Sequence, residues 1–212
     1  MSEGHHQAGP RGVDGASAVL ARLRPAKPAD CRPIWQWRND EETRRQSLDS
    51  SFIPYEAHER WFAEALASDR RKLYVVLVES PNACVIEREA AGVVRLDLDG
   101  SRGTVSIHLA PGHRGRGLGT AALRALANLA FEELAMGELV ASVKQDNRAS
   151  LAAFEKAGFA VEETGAVTTL RRCRSTGGSG RREAGSASAD GPPTSAPAAA
   201  SVRDDRGQAP AS

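Results

Sequence analysis

Gly112-His113-Arg114-Gly115-Arg116-Gly117-Leu118-Gly119-Thr120 lies between two apolar segments of different period. Before it, Val105-Ser106-Ile107-His108-Leu109 alternates apolar and polar, the period of a strand with one buried face. Pro111 cannot donate to a strand ladder and ends that segment. After it, Leu118, Ala122, Leu126 and Leu129 recur at helical spacing and mark one face of a long helix. A glycine-rich turn therefore joins strand to helix. Gly115, Gly117 and Gly119 remove side chains where backbone N–H groups turn toward a common point, and the helix N-terminus adds free donors and partial positive charge. Arg114 and Arg116 supply mobile cations and Thr120 a hydroxyl, so the segment reads as an anion site suited to a pyrophosphate. The alternative is a glycine-rich turn with solvated arginines. A P-loop would need Gly-Lys-Ser/Thr, and a dinucleotide fingerprint would need glycine where Thr120 stands.

Outward from the loop, Val93 to Leu98 reads as a strand that Asp99-Gly100 turns back into Val105 to Leu109. Upstream, Leu73 to Val78 is a short buried strand and Val19 to Arg24 an alternating first strand. Between them Asp30 opens a helix through Ile34, Trp35 and Trp37, and Pro54 precedes a second helix carrying Trp61, Phe62 and Leu66. Downstream, Leu139 to Val143 is a strand. Asn147 caps a short helix with Leu151 and Phe154, which Gly158 stops, and Phe159 to Val161 and Val167 to Leu170 close the pattern as strands. The predicted order is strand, two helices, three strands, helix, strand, helix, two strands. That is a single α/β domain with a mixed, mainly antiparallel central sheet flanked by helices.

Composition bounds the rest. The chain has 212 residues and a formal charge of +1, so no global field draws it to nucleic acid or to anionic membranes. Residues 1–18 and 175–212 are rich in Gly, Ser, Ala, Pro and charge and are expected to be a disordered lead and a disordered tail, with the domain at 19–174. Cys31, Cys84 and Cys173 form neither a disulfide framework nor a metal pattern, no metal site is expected, and the expected compartment is the cytoplasm. No run of about 18 apolar residues is present to span a bilayer.

A second block, Asp146-Asn147-Arg148-Ala149-Ser150-Leu151-Ala152-Ala153-Phe154-Glu155-Lys156-Ala157-Gly158-Phe159, follows the loop at a set distance. With Arg114-Gly115-Arg116-Gly117-Leu118-Gly119, it resembles the GNAT N-acetyltransferase superfamily, whose signature is Arg/Gln-x-x-Gly-x-Gly/Ala at the start of the central helix. The resemblance spans about Val19 to Arg172. It implies acetyl-CoA as donor, with the pyrophosphate on backbone amides from Gly115 through Arg116, Gly117, Leu118 and Gly119 to Thr120, and Arg114 nearby. It implies that the pantetheine arm pairs with Leu109 and Ala110 where adjacent strands splay, and that Asn147 and Ser150 contact the CoA arm. Asn147 also reads as a plain helix cap, and both roles can hold at once. The Leu109 amide would stabilise the oxyanion. Phe154 stands where relatives carry the tyrosine that protonates the leaving thiolate, so the general acid is unassigned.

For the base, His108 has an ordinary pKa suited to the task, Ser106 shares its strand face and can hold a water, and Asp97 lies on the neighbouring strand. Trp35-Gln36-Trp37-Arg38-Asn39-Asp40 and His58-Glu59-Arg60-Trp61-Phe62 resemble the subgroup that acetylates the 4-amino group of nucleotide-linked amino sugars, as in pseudaminic acid biosynthesis. Trp37, Arg38, Asn39 and His58 are the substrate-binding candidates: aromatic faces stack on rings and Arg38 meets a phosphate. Trp35 and Trp61 also fit as core. The expected partner is a small-molecule amine, the sugar nucleotide among the options, taken by a monomer or homodimer. The other readings are a ribosomal-protein-type N-terminal acetyltransferase and a catalytically silent acyl-CoA-binding module.

Overall fold

A computed structural model describes residues 20–79 and 88–175, all within the compact unit Met1–Ser175. The expected lead at 1–18, Val19, Cys84 and the tail beyond Ser175 lie outside the described residues. Seven strands form one sheet in the order β1-β2-β3-β4-β5-β7-β6. They are β1 (Ala21–Pro25), β2 (Arg71–Glu79), β3 (Arg88–Asp99), β4 (Arg102–Leu109), β5 (Glu138–Lys144), β6 (Ala160–Glu163) and β7 (Val167–Cys173). Every pairing is antiparallel except β4 with β5. The expected α/β class and mainly antiparallel sheet are what the chain adopts.

The period-2 segments explain the two faces. On one, Tyr74, Val76, Val94, Leu96, Val105 and Leu139 pack beneath helices α4 (Leu118–Glu132) and α5 (Arg148–Lys156), whose Leu118, Ala122, Leu126 and Phe154 are all buried. On the other, Leu73, Val75 and Val93 pack against α1 (Cys31–Asn39) and α3 (Tyr55–Ala67) through Cys31, Ile34, Phe62 and Ala65. Alternate residues of β2 and β3 thus serve two cores, as strands covered on both faces require. Gly100 adopts φ 56° at the expected β3–β4 turn, and Gly158 adopts φ 89° where α5 stops. Asn147 caps α5 as expected, its Oδ1 accepting the Ser150 N–H at 3.1 Å.

Two expectations change. Asp30 precedes α1, but its carboxylate does not cap that helix. It accepts both Arg24 guanidinium nitrogens at 2.7 Å and the Lys27 N–H at 2.7 Å, closing a short 3-10 turn. A third helix, α2 (Glu41–Gln46), also stands between α1 and α3. Its six residues are too few for an apolar stripe, yet its chemistry suits a helix: the Asp40 Oδ2 accepts the Thr43 N–H at 3.0 Å, Glu41 and Glu42 occupy the first turn, and Arg44 and Arg45 the last.

The chain between α2 and α3 is held by α1. Ile53 donates its N–H to Asn39 Oδ1 at 2.9 Å, and its carbonyl accepts from Asn39 Nδ2 at 2.9 Å and Trp35 Nε1 at 2.7 Å. Trp35 and Asn39, four residues apart on one helix face, act as one clamp. Asn39→Ala removes two of these three bonds and is expected to cost about 2 kcal/mol in urea unfolding. At Gly92 a Cβ would lie 2.5 Å from the His108 carbonyl oxygen and 2.8 Å from Leu109 Cδ2, whereas at Gly112 it would meet nothing within 4 Å. Gly92→Ala is expected to lose roughly 1–3 kcal/mol because backbone stands in the way. Gly112→Ala, measured alongside, should stay within about 0.5 kcal/mol of the parent.

Candidate active site

β4 and β5 pair only at Arg102–Glu138, Gly103–Leu139 and Thr104–Val140, although β4 continues to Leu109 and β5 to Lys144. Past Thr104 the two strands part and leave a gap in the sheet. On its other edge β4 stays paired with β3 as far as Leu109–Gly92, and the Ala110 N–H continues the ladder to Ala91 O at 2.9 Å. Successive peptides in a strand point to opposite edges, so the Leu109 N–H and C=O turn into the gap.

The loop closes the same end of the gap. Gly115 and Gly117 hold φ 74° and 78°, a region that only glycine enters without strain. A Cβ at either would meet nothing within 4 Å, so their backbone faces open space. Gly117 precedes α4 without a side-chain cap, which leaves the first-turn amides of Leu118, Gly119 and Thr120 turned toward that space. Gly119 sits in ordinary contact with Leu109 Cδ1 and Ala153 Cβ at 3.7 and 3.8 Å, matching the Gly/Ala tolerance of the motif. Arg116 is exposed. These features fit a diphosphate held by amides.

Arg114 is differently employed from the expectation. Its Nη2 donates to Asp40 Oδ2 and Thr43 Oγ1, both at 2.6 Å, and its Nε donates to Leu109 O at 3.3 Å. The guanidinium therefore ties the loop and the end of β4 to the start of α2. At the other end of α2, Lys144 Nζ donates to Arg45 O at 2.9 Å. One short helix is thus fastened to residues from both banks of the gap. Asn147 and Ser150, at the start of α5, are partly buried, and the cap bond between them occupies the Asn147 carbonyl oxygen.

The sheet face opposite α4 carries a cavity of about 240 Å³ lined by Ile34, Arg38, Ile53, Ala57, His58, Trp61, Leu73, Val93, Arg95, Ser106 and His108. It brings together four of the sequence candidates: Arg38, His58, Ser106 and His108. Ser106 pairs with Arg95 and His108 with Val93, so these four strand residues lie on one face of the β3–β4 ladder, with Arg38 and His58 reaching it from α1 and α3. Trp37 and Asn39 are not in the lining. Trp37 packs against the α1–α3 core and Asn39 is spent on Ile53. Asp97 is also occupied, lying 2.5 Å from Arg71 Nε and 3.0 Å from Arg95 Nε.

The electrostatics are one-sided. Burial, with Arg38, Arg95 and Arg114 adding repulsion, pushes the His108 imidazole down to about 4. The sequence argument for His108 rested on an ordinary imidazole pKa, and the structure corrects it: the ring is neutral throughout the physiological range and only a weak base. His58 is shifted down too, first by burial and then by Arg38, against a bond to the Cys31 backbone that favours its charged form. Its buried Nε2 has no partner among the described residues.

Sequence reasoning missed Arg95 and Asp40. Arg95 lies in phase with Val93 and is opposite Leu73 as Val93 is opposite Val75, which marks an inward cation. Asp40 showed only as the polar residue after a helix. Its bond to Arg114 spans 74 positions and has no local signal.

The comparisons agree with this architecture. The family described as "Acetyltransferase (GNAT) domain" matches residues 21–160. Among solved structures, spermidine N-acetyltransferase from Vibrio cholerae with CoA and spermine is similar at TM-score 0.63 and 17% identity, covering 73% of this chain and 95% of that one. The aminoglycoside acetyltransferase AAC(6')-Ib with paromomycin and acetyl-CoA is similar at TM-score 0.62 and 17% identity, covering 73% and 94%. A domain from Methanocaldococcus jannaschii is similar at TM-score 0.62 and 16% identity, covering 74% and 99%. No curated protein matches the sequence. With the family match over 21–160 set beside the glycine loop and the parted strands, the chain belongs to the GNAT acetyltransferases and is an N-acetyltransferase that uses acetyl-CoA.

Proposed function

We propose that residues 19–174 transfer the acetyl group of acetyl-CoA to the primary amine of a small molecule seated in the cavity on the β3–β4 face. One observation carries this reading: strand β4 borders both the gap and the cavity. Its free edge past Thr104 borders the gap, and its Ser106 and His108 line the cavity. A donor along the edge and an acceptor on the face meet at the same few residues.

Acetyl-CoA supplies a thioester carbonyl that a neutral amine attacks. The chain's part is to bind the diphosphate on the amides of Gly115 to Thr120, to offer the Leu109 N–H to the carbonyl oxygen, and to keep the amine unprotonated. Burial first, and Arg38, Arg95 and Arg114 after it, disfavour a cation beside His108, so the site favours the neutral form of the amine. His108 then accepts a hydrogen bond from the amine or from a water that Ser106 holds. Phe154 is buried in the core against Phe159, with ring centres 5.0 Å apart, and has no proton to give. The C–S bond breaks as the N–C bond forms, and the proton the amine gives up passes through water either to the solvent or to the departing CoA sulfur, with no side chain assigned as general acid.

The nucleotide-linked amino sugar remains the acceptor form that Arg38 and Trp61 support, as both line the cavity. The volume of about 240 Å³ takes its amine-bearing end only. The assembly we retain is a monomer or homodimer in the cytoplasm; no described helix is long and apolar enough to cross a membrane.

Gly117→Glu puts bulk and negative charge beside the amides and takes φ 78° away from glycine. Acetyl-CoA affinity by calorimetry is expected to fall by roughly a hundredfold or more, and unchanged affinity in a folded variant would refute the loop assignment. His108 gives a pH test. Its pKa in the folded chain lies below the ordinary 6.5, so the unfolded chain binds the proton first as pH falls. Stability present above about 6.5 should drain away toward about 4, with His58 adding in the same direction. His108→Gln should shrink that acid-induced loss by up to about 3 kcal/mol in urea midpoints compared at the two ends of the range.

A further inference from the structure

The cavity wall holds charge of one sign only. Arg38 and Arg95 line it beside two imidazoles, and no carboxylate is among its lining residues. Neither guanidinium is fully matched by protein. Arg38 donates Nη2 to the backbone carbonyl of Asp49 at 2.8 Å, while its buried Nη1 has no partner among the described residues. Arg95 lies 3.0 Å from Asp97, but that single carboxylate is shared with Arg71. The buried Nε of Arg44, a further cation acting on Arg38, is likewise without a partner. A buried guanidinium donor left unpaired is costly, and the group that satisfies it best is an anion meeting its planar fork.

The register sets the spacing. Arg95 is opposite Ser106 and Val93 opposite His108, so Arg95 and His108 are diagonal neighbours on one face, about 7–8 Å apart at the backbone. An anion on the arginines and an amine beside His108 therefore belong to one compact molecule, in keeping with about 240 Å³.

Resting on the acetyl-transfer reading above, we propose that the acceptor is an amine that also bears a carboxylate or phosphate a few bonds away, seated on Arg38 and Arg95. A polycation meets two guanidinium groups and no lining carboxylate in this cavity. The two arginines then act together: they fix the acceptor by its anion and disfavour protonation of its amine.

The test uses matched pairs that differ in the anion: O-phosphoethanolamine against ethanolamine, and β-alanine against propylamine, with spermidine as the polycation. CoA release gives kcat/KM, and calorimetry on the protein saturated with CoA gives affinity without turnover. The anionic member of at least one pair is expected to exceed its neutral partner by roughly tenfold or more, the scale of a charge-assisted hydrogen bond. The pair that responds tells phosphate from carboxylate. Arg38→Gln and Arg95→Gln should erase the difference, Arg95→Lys should keep part of it, and acetyl-CoA affinity should hold in all three. Equal affinity and equal turnover within both pairs, a preference for spermidine, or an anion preference that survives both glutamine variants would overturn the proposal. Failure to bind acetyl-CoA at all would instead overturn the transferase reading beneath it.

Discussion

Everything at this site depends on the end of the β4–β5 ladder at Thr104–Val140. A parallel pair continued to Leu109 would use the peptide groups of β4 on both edges and leave nothing to offer a substrate. Because it ends after three pairs, the Leu109 peptide is available on one side while β3 still holds the strand rigid on the other. The start of the pairing is dense: a Cβ on Gly103 would lie 2.7 Å from Leu96 Cδ1 and 2.8 Å from Leu139 Cδ2. The strands are pressed together at one end and free at the other, so a gap is cut into an otherwise continuous sheet without loss of core.

The gap is spanned by charge rather than by packing. Asp40 caps α2 and accepts from Arg114, and Lys144 donates to the last turn of α2. Burial raises the Asp40 carboxyl, but the Thr43 N–H and Arg114 outweigh it and hold the group below its usual range. Helix α2 is thereby joined to the glycine loop and to β5. A shift of α2 would be felt by Arg114 and, through its Nε bond, by the Leu109 carbonyl. Burial and the guanidinium groups around the cavity have a second effect, holding the His108 imidazole neutral.

Much of this was legible in the chain. The alternating strands, the Asp99-Gly100 turn, the Asn147 cap, the Gly158 stop and the glycine loop are all local devices, whose cause lies within a few residues, and each formed as its pattern predicts. Less legible was anything that joined distant segments. α2 was overlooked because six residues carry no apolar period. Asn39 was a substrate-binding candidate by its place in the Trp35 to Asp40 block, yet its amide matches the Ile53 backbone in both directions. His108 looked like a base of ordinary strength because nothing in its neighbours along the chain announces burial among three arginines.

The loop from Gly112 to Thr120 and its place between strand and helix were determined by sequence alone, since glycine at φ 74° and 78° and an uncapped helix start are properties of adjacent residues. The family followed from the same stretch and the Asn147 to Phe159 block. Tertiary structure alone decided which side chains share the cavity, that Arg114 binds Asp40, that Arg95 joins Arg38, and that His108 is neutral. Those outcomes depend on strand register and on burial, which are set by the whole core and cannot be read from any one segment.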